Sequence, residues 1–133
     1  MPVRLMLLCA VVLLAACGTP AATIPKPVND PTGIVAQNGW TLDGGAETVP
    51  FTVPAQGKYD LAAQQQLDAS KQIGLDFSAF DGKELSTLVF PLSQKAASGQ
   101  PLHANVLMNG ADVVGAWLSV DGASSAYALN AKP

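Results

Sequence analysis

The chain has little cysteine, histidine and basic charge, and these shortages exclude several kinds of site and partner. Its 133 residues include two cysteines, one histidine, and seven Lys plus Arg against ten Asp plus Glu. Cys9 lies inside an apolar N-terminal run and Cys17 follows that run, so the chain beyond has no cysteine for a disulfide, a thiol nucleophile or a metal site. With a net charge of −3 and no basic stripe, nucleic acid is not an expected partner.

Sequence signatures of catalytic sites are missing as well. Nucleophilic catalysis by serine needs an activating base, and His103 is the single histidine, with no G-x-S-x-G elbow in the chain. P-loop, dinucleotide-binding and H-E-x-x-H patterns do not occur. Asp76, Asp81 and Glu84 lack the spacing of a calcium loop and are interpreted as parts of caps and turns. We therefore expect a protein that is not an enzyme and uses no metal or cofactor.

The first sixteen residues have the three parts of a secretory signal. A cationic start that includes Arg4 precedes an apolar run over residues 5–16, shorter than the ~20 residues that a membrane span needs. The stretch Leu14-Ala15-Ala16-Cys17 resembles the lipobox of bacterial lipoproteins. The resemblance implies cleavage before Cys17 and acyl chains on it, hence a lipid anchor at the extracytoplasmic face of the cell membrane or outer membrane. The alternative is an ordinary signal peptide with a cysteine nearby by chance.

Residues 17–29 are predicted to be the anchor and a tether. Pro20, Pro25 and Pro27 are interleaved with Ala and Thr, without apolar periodicity. Such a segment extends ~3.1 Å per residue, so a dozen residues reach about 35 Å from the lipid. A spacer of selected length and a leader of arbitrary length both fit this composition. Residues 30–133 are predicted to form a single domain with one modest core.

Hydrophobic periodicity and turn residues predict an α+β domain. Asp30-Pro31 and Asn38-Gly39 are start and stop signals of a short N-terminal helix, and residues 58–73 carry the apolar stripe of one long helix. Alternating stretches predict about five strands, near residues 40–42, 49–53, 85–92, 102–108 and 112–120. Pro50 restricts its strand to a sheet edge or a bulge, because proline cannot donate to the ladder. We expect two layers, with the long helix packed across an antiparallel sheet.

The predicted hairpin around Asn109-Gly110 decides which residues share a face of the sheet. A three-residue loop with Gly110 in a bulge unites seven apolar residues on one face, which a two-residue loop does not. These residues are Leu102, Ala104, Val106, Val114, Ala116, Leu118 and Val120. We therefore predict the three-residue loop. It places His103, Asn105 and Trp117 together on the opposite, exposed face, and these three are the candidate binding residues, although a lone histidine there is more often a packing or solvent-facing residue.

Several short, turn-rich motifs occur between residues 32 and 130. They are Gly39-Trp40, Val49-Pro50, Gly74-Leu75-Asp76-Phe77, Asp81-Gly82-Lys83, Asn105-Val106-Leu107, Val113-Val114-Gly115 and Asp121-Gly122. Together they resemble a small extracytoplasmic bacterial domain of unknown function that is common in Gram-positive lipoproteins and membrane-anchored proteins. The resemblance implies fold and location only, since that family has no catalytic assignment. Leu85-Ser86-Thr87-Leu88 stands where the family tends to have aromatic and basic residues, so a surface built from those is not expected here.

The sequence thus predicts a lipid-anchored accessory protein that binds an envelope protein, peptide or wall component. One alternative is a small-molecule carrier with a pocket between helix and sheet, lined by Leu67, Val106 and Leu118. Another is an inhibitor of an envelope enzyme.

Overall fold

The computed structural model describes residues 29–133 of the chain. The predicted signal, the Cys17 anchor and the tether up to residue 28 lie outside the described residues. The elements are α1 (Pro31–Gln37), β1 (Glu47–Thr52), α2 (Leu61–Lys71), a 3-10 helix (Phe77–Phe80), β2 (Glu84–Lys95), β3 (Pro101–Asn109), β4 (Asp112–Val120) and β5 (Ala126–Tyr127). They include a five-stranded antiparallel sheet, which confirms the α+β class.

The strands lie in the sheet in the order in which they occur along the chain. The stretch predicted as a strand at residues 40–42 makes only one isolated bridge, between Leu42 and Leu92. Trp40 is instead a core residue, whose Nε1 donates a hydrogen bond of 2.6 Å to the carbonyl of Leu129. The fifth strand is β5, which pairs with β4.

Strand β1 forms one edge of the sheet, as Pro50 predicts. Just past its end, the N–H of Val53 donates to the carbonyl of Lys83 at 2.9 Å, so alternate residues of the strand direct their backbone groups toward β2. Pro50 is not one of these alternate residues, so its backbone nitrogen and carbonyl point away from β2, toward solvent. The missing N–H of proline therefore leaves no gap in the ladder.

Apolar clusters cover both faces of the sheet, so the predicted two-layer arrangement is wrong. On one face, Ile34 and Val35 of α1 pack with residues of β3 and β4, and we call this the α1-side core. On the other face, Leu67 of α2 and Phe77 pack with Leu107 and other residues of the sheet in the α2-side core. Successive residues of a strand point to opposite faces, which places neighbours such as Val106 and Leu107 in different cores.

Helix α2 is shorter than the predicted long helix and does not cross the sheet. It has 11 residues and begins after Asp60, whose side chain accepts the N–H of Ala63 at 2.8 Å and caps the first turn. Its main contacts are with β4 and β5, at one end of the sheet. The rest of that face is left to other segments or to solvent.

The turn between β3 and β4 also differs from the prediction. Asn109 pairs with Asp112, which leaves a two-residue loop instead of the predicted three. The residue that has no partner is Val114, because Leu107 pairs with Gly115 whereas Met108 pairs with Val113. This is a β-bulge within β4, not a longer turn. Val113 therefore takes the place of Val114 in the α1-side core, while the other six residues of the predicted apolar face lie there as expected.

Helix α2 covers the free edge of β4 through Ser70. The fully buried hydroxyl of Ser70 accepts the N–H of Ala116 at 3.0 Å. It also lies 3.1 Å from the carbonyl of Ala116 and 2.9 Å from the carbonyl of Gln66, and its one proton is available to either. Gly115 allows this approach, since a Cβ there would lie 3.2 Å from the hydroxyl of Ser70 and 2.8 Å from the ring of Phe77. The hydroxyl thus supplies the hydrogen bonds that a neighbouring strand would otherwise make with Ala116.

Candidate functional site

The predicted binding residues share a face of the sheet, but only part of that face is exposed. Asn105 pairs with Trp117 across the strands, and His103 pairs with Ser119. Trp117 is only 4% exposed and Asn105 only 8%. The expectation that the three form an exposed contact surface is therefore wrong for Trp117 and Asn105.

Trp117 belongs to an aromatic cluster of the α2-side core. Its ring centroid lies 5.6 Å from that of Phe51 and 6.2 Å from that of Phe77. Phe51 and Phe77 meet edge to face at 5.8 Å. Such contacts add to the apolar area that the rings bury. The indole is thus held by the fold and is not presented to a partner.

The two polar residues of the trio are held by local bonds. The Nδ2 of Asn105 donates to Ser119 Oγ at 3.0 Å and to the carbonyl of Trp117 at 3.4 Å. His103 Nδ1 lies 3.2 Å from Asp121 Oδ1, with side chains 29% and 52% exposed. Only the imidazole of this trio can be reached from solvent.

A partly exposed region remains on the same face, away from α2. It contains Val49, Val89, Pro91, His103 and Ser119, and we call it the open patch. Its residues face the same way because Val89 pairs with Asn105, and Pro91 pairs with His103. Val49 at its edge is 39% exposed. The patch has three apolar side chains, one imidazole and one hydroxyl, and it is bordered by two carboxylates, Glu47 beside Val89 and Asp121 beside His103.

The sequence reasoning missed the apolar part of the open patch. The signal was present, since alternation along β2 places Val89 and Pro91 on one side of the strand. The missing information was which side of the sheet α2 would cover and how far.

A polar groove of about 430 Å³ lies beside α2, next to the loop that follows β1. It is lined by residues that include Tyr59, Gln64, Lys71 and Asp81. Tyr59 Oη donates to Asp81 Oδ1 at 3.0 Å. Burial and this carboxylate raise the pKa of Tyr59 to about 12. The phenol is therefore a neutral hydrogen-bond donor at physiological pH.

A second groove, of about 390 Å³, lies between α2 and the last residues of the chain, and we call it the terminal groove. Its lining includes four alanines, Ala69, Ala126, Ala128 and Ala131. On the α2 side it is lined by Gln65, Asp68 and Gln72. Gln65 Oε1 accepts the N–H of Ala126 at 3.3 Å.

The three residues predicted to line the pocket of a small-molecule carrier do not lie together. Leu67 lies in the α2-side core, whereas Val106 and Leu118 lie in the α1-side core on the opposite face of the sheet. All three side chains are at most 5% exposed. They cannot line one pocket, so this prediction is wrong.

Within residues 29–133, no three side chains of the types that bind metals lie close enough to share an ion. In the same range, no helix is both long and apolar enough to cross a membrane. The chain matches no protein-family model, no curated protein and no solved structure. The lipobox and the resemblance to an extracytoplasmic domain therefore stay predictions.

Proposed function

We propose that the chain is a lipid-anchored accessory protein of the bacterial cell envelope that binds a protein or peptide and catalyses no reaction. The observation that carries the proposal is Leu14-Ala15-Ala16-Cys17 directly after an apolar run too short to span a bilayer. Two or more acyl chains on Cys17 suffice for stable anchoring, because one chain alone binds membranes only marginally.

The open patch is the proposed contact surface for the partner. Val49 is exposed and Val89 and Pro91 are half-buried, so together they present adjoining apolar area to solvent, the property that marks interaction sites when it is contiguous. His103 and Ser119 add hydrogen-bonding groups beside them. A mixed surface on strands holds its geometry before binding, which limits the entropy lost on association.

The placement of the helices supports this choice of face. Helix α1 starts at Pro31, close to Asn29, where the described residues begin, and it packs on the side of the α1-side core. The open patch lies on the opposite face of the sheet. Neither helix therefore covers the proposed contact surface.

The anchor is tested by the intact mass of the protein in the membrane fraction, for the wild type and for Cys17→Ser. We expect acyl chains on the wild type and release of the variant. An unmodified Cys17 with protein free in the medium would refute the anchor and favour a secreted inhibitor.

The patch is tested by in-cell crosslinking with matched substitutions on β1. Val49→Lys places a charge in the patch, and Thr48→Lys places the same charge on the same strand but on the other face. We expect a discrete crosslinked partner for the wild type and Thr48→Lys, and its loss for Val49→Lys. Equal crosslinking by all three would show that the patch is not the contact surface.

A further inference from the structure

The sheet has two edges, and α2 covers only one of them. Along the free side of β4 and β5, Ser70 Oγ accepts the N–H of Ala116, and Gln65 Oε1 accepts the N–H of Ala126. The other edge is β1, which pairs with β2 alone. Five of its six residues are exposed. A bare strand of this kind is a template for pairing with another extended chain.

The backbone groups that β1 leaves free belong to three alternate residues. The N–H of Val53 donates to the carbonyl of Lys83 at 2.9 Å, so Val53 directs its backbone groups toward β2. This direction alternates along an antiparallel strand, which leaves Thr48, Pro50 and Thr52 with their backbone groups toward solvent. Pro50 is the middle one of the three, and it has no N–H.

A second copy of the chain, related by a two-fold axis, would meet this edge as an antiparallel strand. In the register that joins all three free residues, Thr48 faces Thr52 of the second copy, and Pro50 faces Pro50. Each such pair ordinarily exchanges two hydrogen bonds, so the two prolines remove two bonds of six and bring their rings together at the axis. A shift of two residues leaves two pairs, and each of them contains a proline. Every register that joins more than one free residue of β1 therefore involves Pro50.

We propose that Pro50 closes the uncovered edge of the sheet to a second copy of this chain. The proline costs its own domain no ladder bond, because an N–H at this position would point to solvent. A second copy loses bonds at the centre of the contact and meets a ring where a donor is needed. Proline on an edge strand is one of the features by which β proteins avoid edge-to-edge association. The inference depends on neither the lipid anchor nor the open patch.

The test replaces Pro50 with threonine, the residue on both sides of it along the free edge. Pro50→Thr restores the N–H at an exposed position and leaves the bonds between β1 and β2 unchanged. Two restored bonds should tighten self-association by roughly 5- to 150-fold. Sedimentation of the full-length chain measures this in an uncharged detergent, in enough excess that each micelle holds one chain. We expect a monomeric wild type and a variant that dimerises as its concentration rises.

Hydrogen exchange and a second variant locate the contact. The N–H groups of Thr48 and Thr52 should exchange fast in the wild type and become protected in the Pro50→Thr dimer. Adding Thr48→Lys and Thr52→Lys to Pro50→Thr places like charges opposite each other in the register with most bonds, which is destabilising. This triple variant should be monomeric again. Val49→Thr is the matched control, since it changes the same strand without adding a donor at the edge, and it should sediment as the wild type does.

Three results would overturn the inference. One is a wild type that dimerises with protection of Thr48 and Thr52, and this result needs no substitution, so it keeps the test valid if Pro50→Thr fails to fold. Another is a folded Pro50→Thr variant that stays monomeric at millimolar concentration. The third is a Pro50→Thr dimer that persists with both lysines, which would place the contact elsewhere. None of these results alters the crosslinking expected at Val49, so failure here is distinct from failure of the proposed function.

Discussion

Replacing Ser70 with alanine tests whether its hydroxyl substitutes for a neighbouring strand. The change removes the only side-chain atom that bonds the N–H of Ala116 among the described residues, at 3.0 Å, and one that can donate to its carbonyl at 3.1 Å. Helix α2 lies over this edge and excludes water, since Ser70 is fully buried. The N–H of Ala116 is then left without a partner in the core, and its carbonyl loses the hydroxyl proton that it shares with the carbonyl of Gln66.

The magnitude follows from the two unpaired groups. Each buried polar group that loses its partner costs about 1–3 kcal/mol. Alanine returns about 0.5 kcal/mol through its higher helix propensity. We expect Ser70→Ala to lower the free energy of unfolding by about 1.5–5.5 kcal/mol. That loss is a large fraction of the ~5–15 kcal/mol that stabilises a typical domain.

Equilibrium unfolding in urea, followed by tryptophan fluorescence, measures this change. The transition midpoint should fall while its slope stays constant, because the surface exposed on unfolding hardly changes. The matched control is Ser86→Ala at an exposed position of β2, which should stay within about 0.5 kcal/mol of the wild type. A Ser70→Ala loss no larger than that of the control would refute the reasoning.

Other predictions concern the same side of the sheet. Gly115→Ala would place a Cβ 2.8 Å from the ring of Phe77, so we expect a loss of about 1–3 kcal/mol in the same unfolding assay. Trp117→Ala removes a buried indole, and an expected loss of about 3–5 kcal/mol would confirm that this residue is a core residue. The raised pKa of Tyr59, about 12, means that folding favours the neutral phenol, so stability should fall as the pH rises from about 10 toward 12. Ultraviolet titration of the phenolate should show this pKa, and Asp81→Asn should lower it.

The pairing of β3 with β4 shows what an apolar pattern can and cannot predict. Alternation correctly assigned Leu102, Ala104 and Val106 to one face together with Ala116 and the residues that follow. It placed the extra residue in the turn instead of in the strand near Val114. An extra residue in the turn and an extra residue in β4 both shift the alternation by one residue. From Ala116 onward, the two arrangements therefore place the same residues on each face. The location depends on contacts with α2 and Phe77, which local sequence does not contain.

The burial of Trp117 was missed for a different reason. The opposite face carries His103 and Ser119 toward one end and Leu107 and Trp117 toward the other, and alternation alone does not distinguish the two ends. The sequence predicts one long helix across the sheet and a short N-terminal helix with only two large apolar residues, and no local signal indicates which face the short helix covers. With α1 on one face, α2 is free to cover the apolar end of the other.

The sequential strand order has a consequence for how the chain folds. Strands β2, β3 and β4 follow one another through short loops and pair with their neighbours in sequence, whereas β1 reaches β2 only across α2, as in the pair of Thr52 with Glu84. Contacts between neighbours in sequence form fast, because little loop entropy is lost before they form. The bond from Trp40 to Leu129 joins residues 89 positions apart and closes α1 and the C-terminal segment over one face. We therefore expect the hairpins of β2, β3 and β4 to form early and the two ends of the domain to meet last.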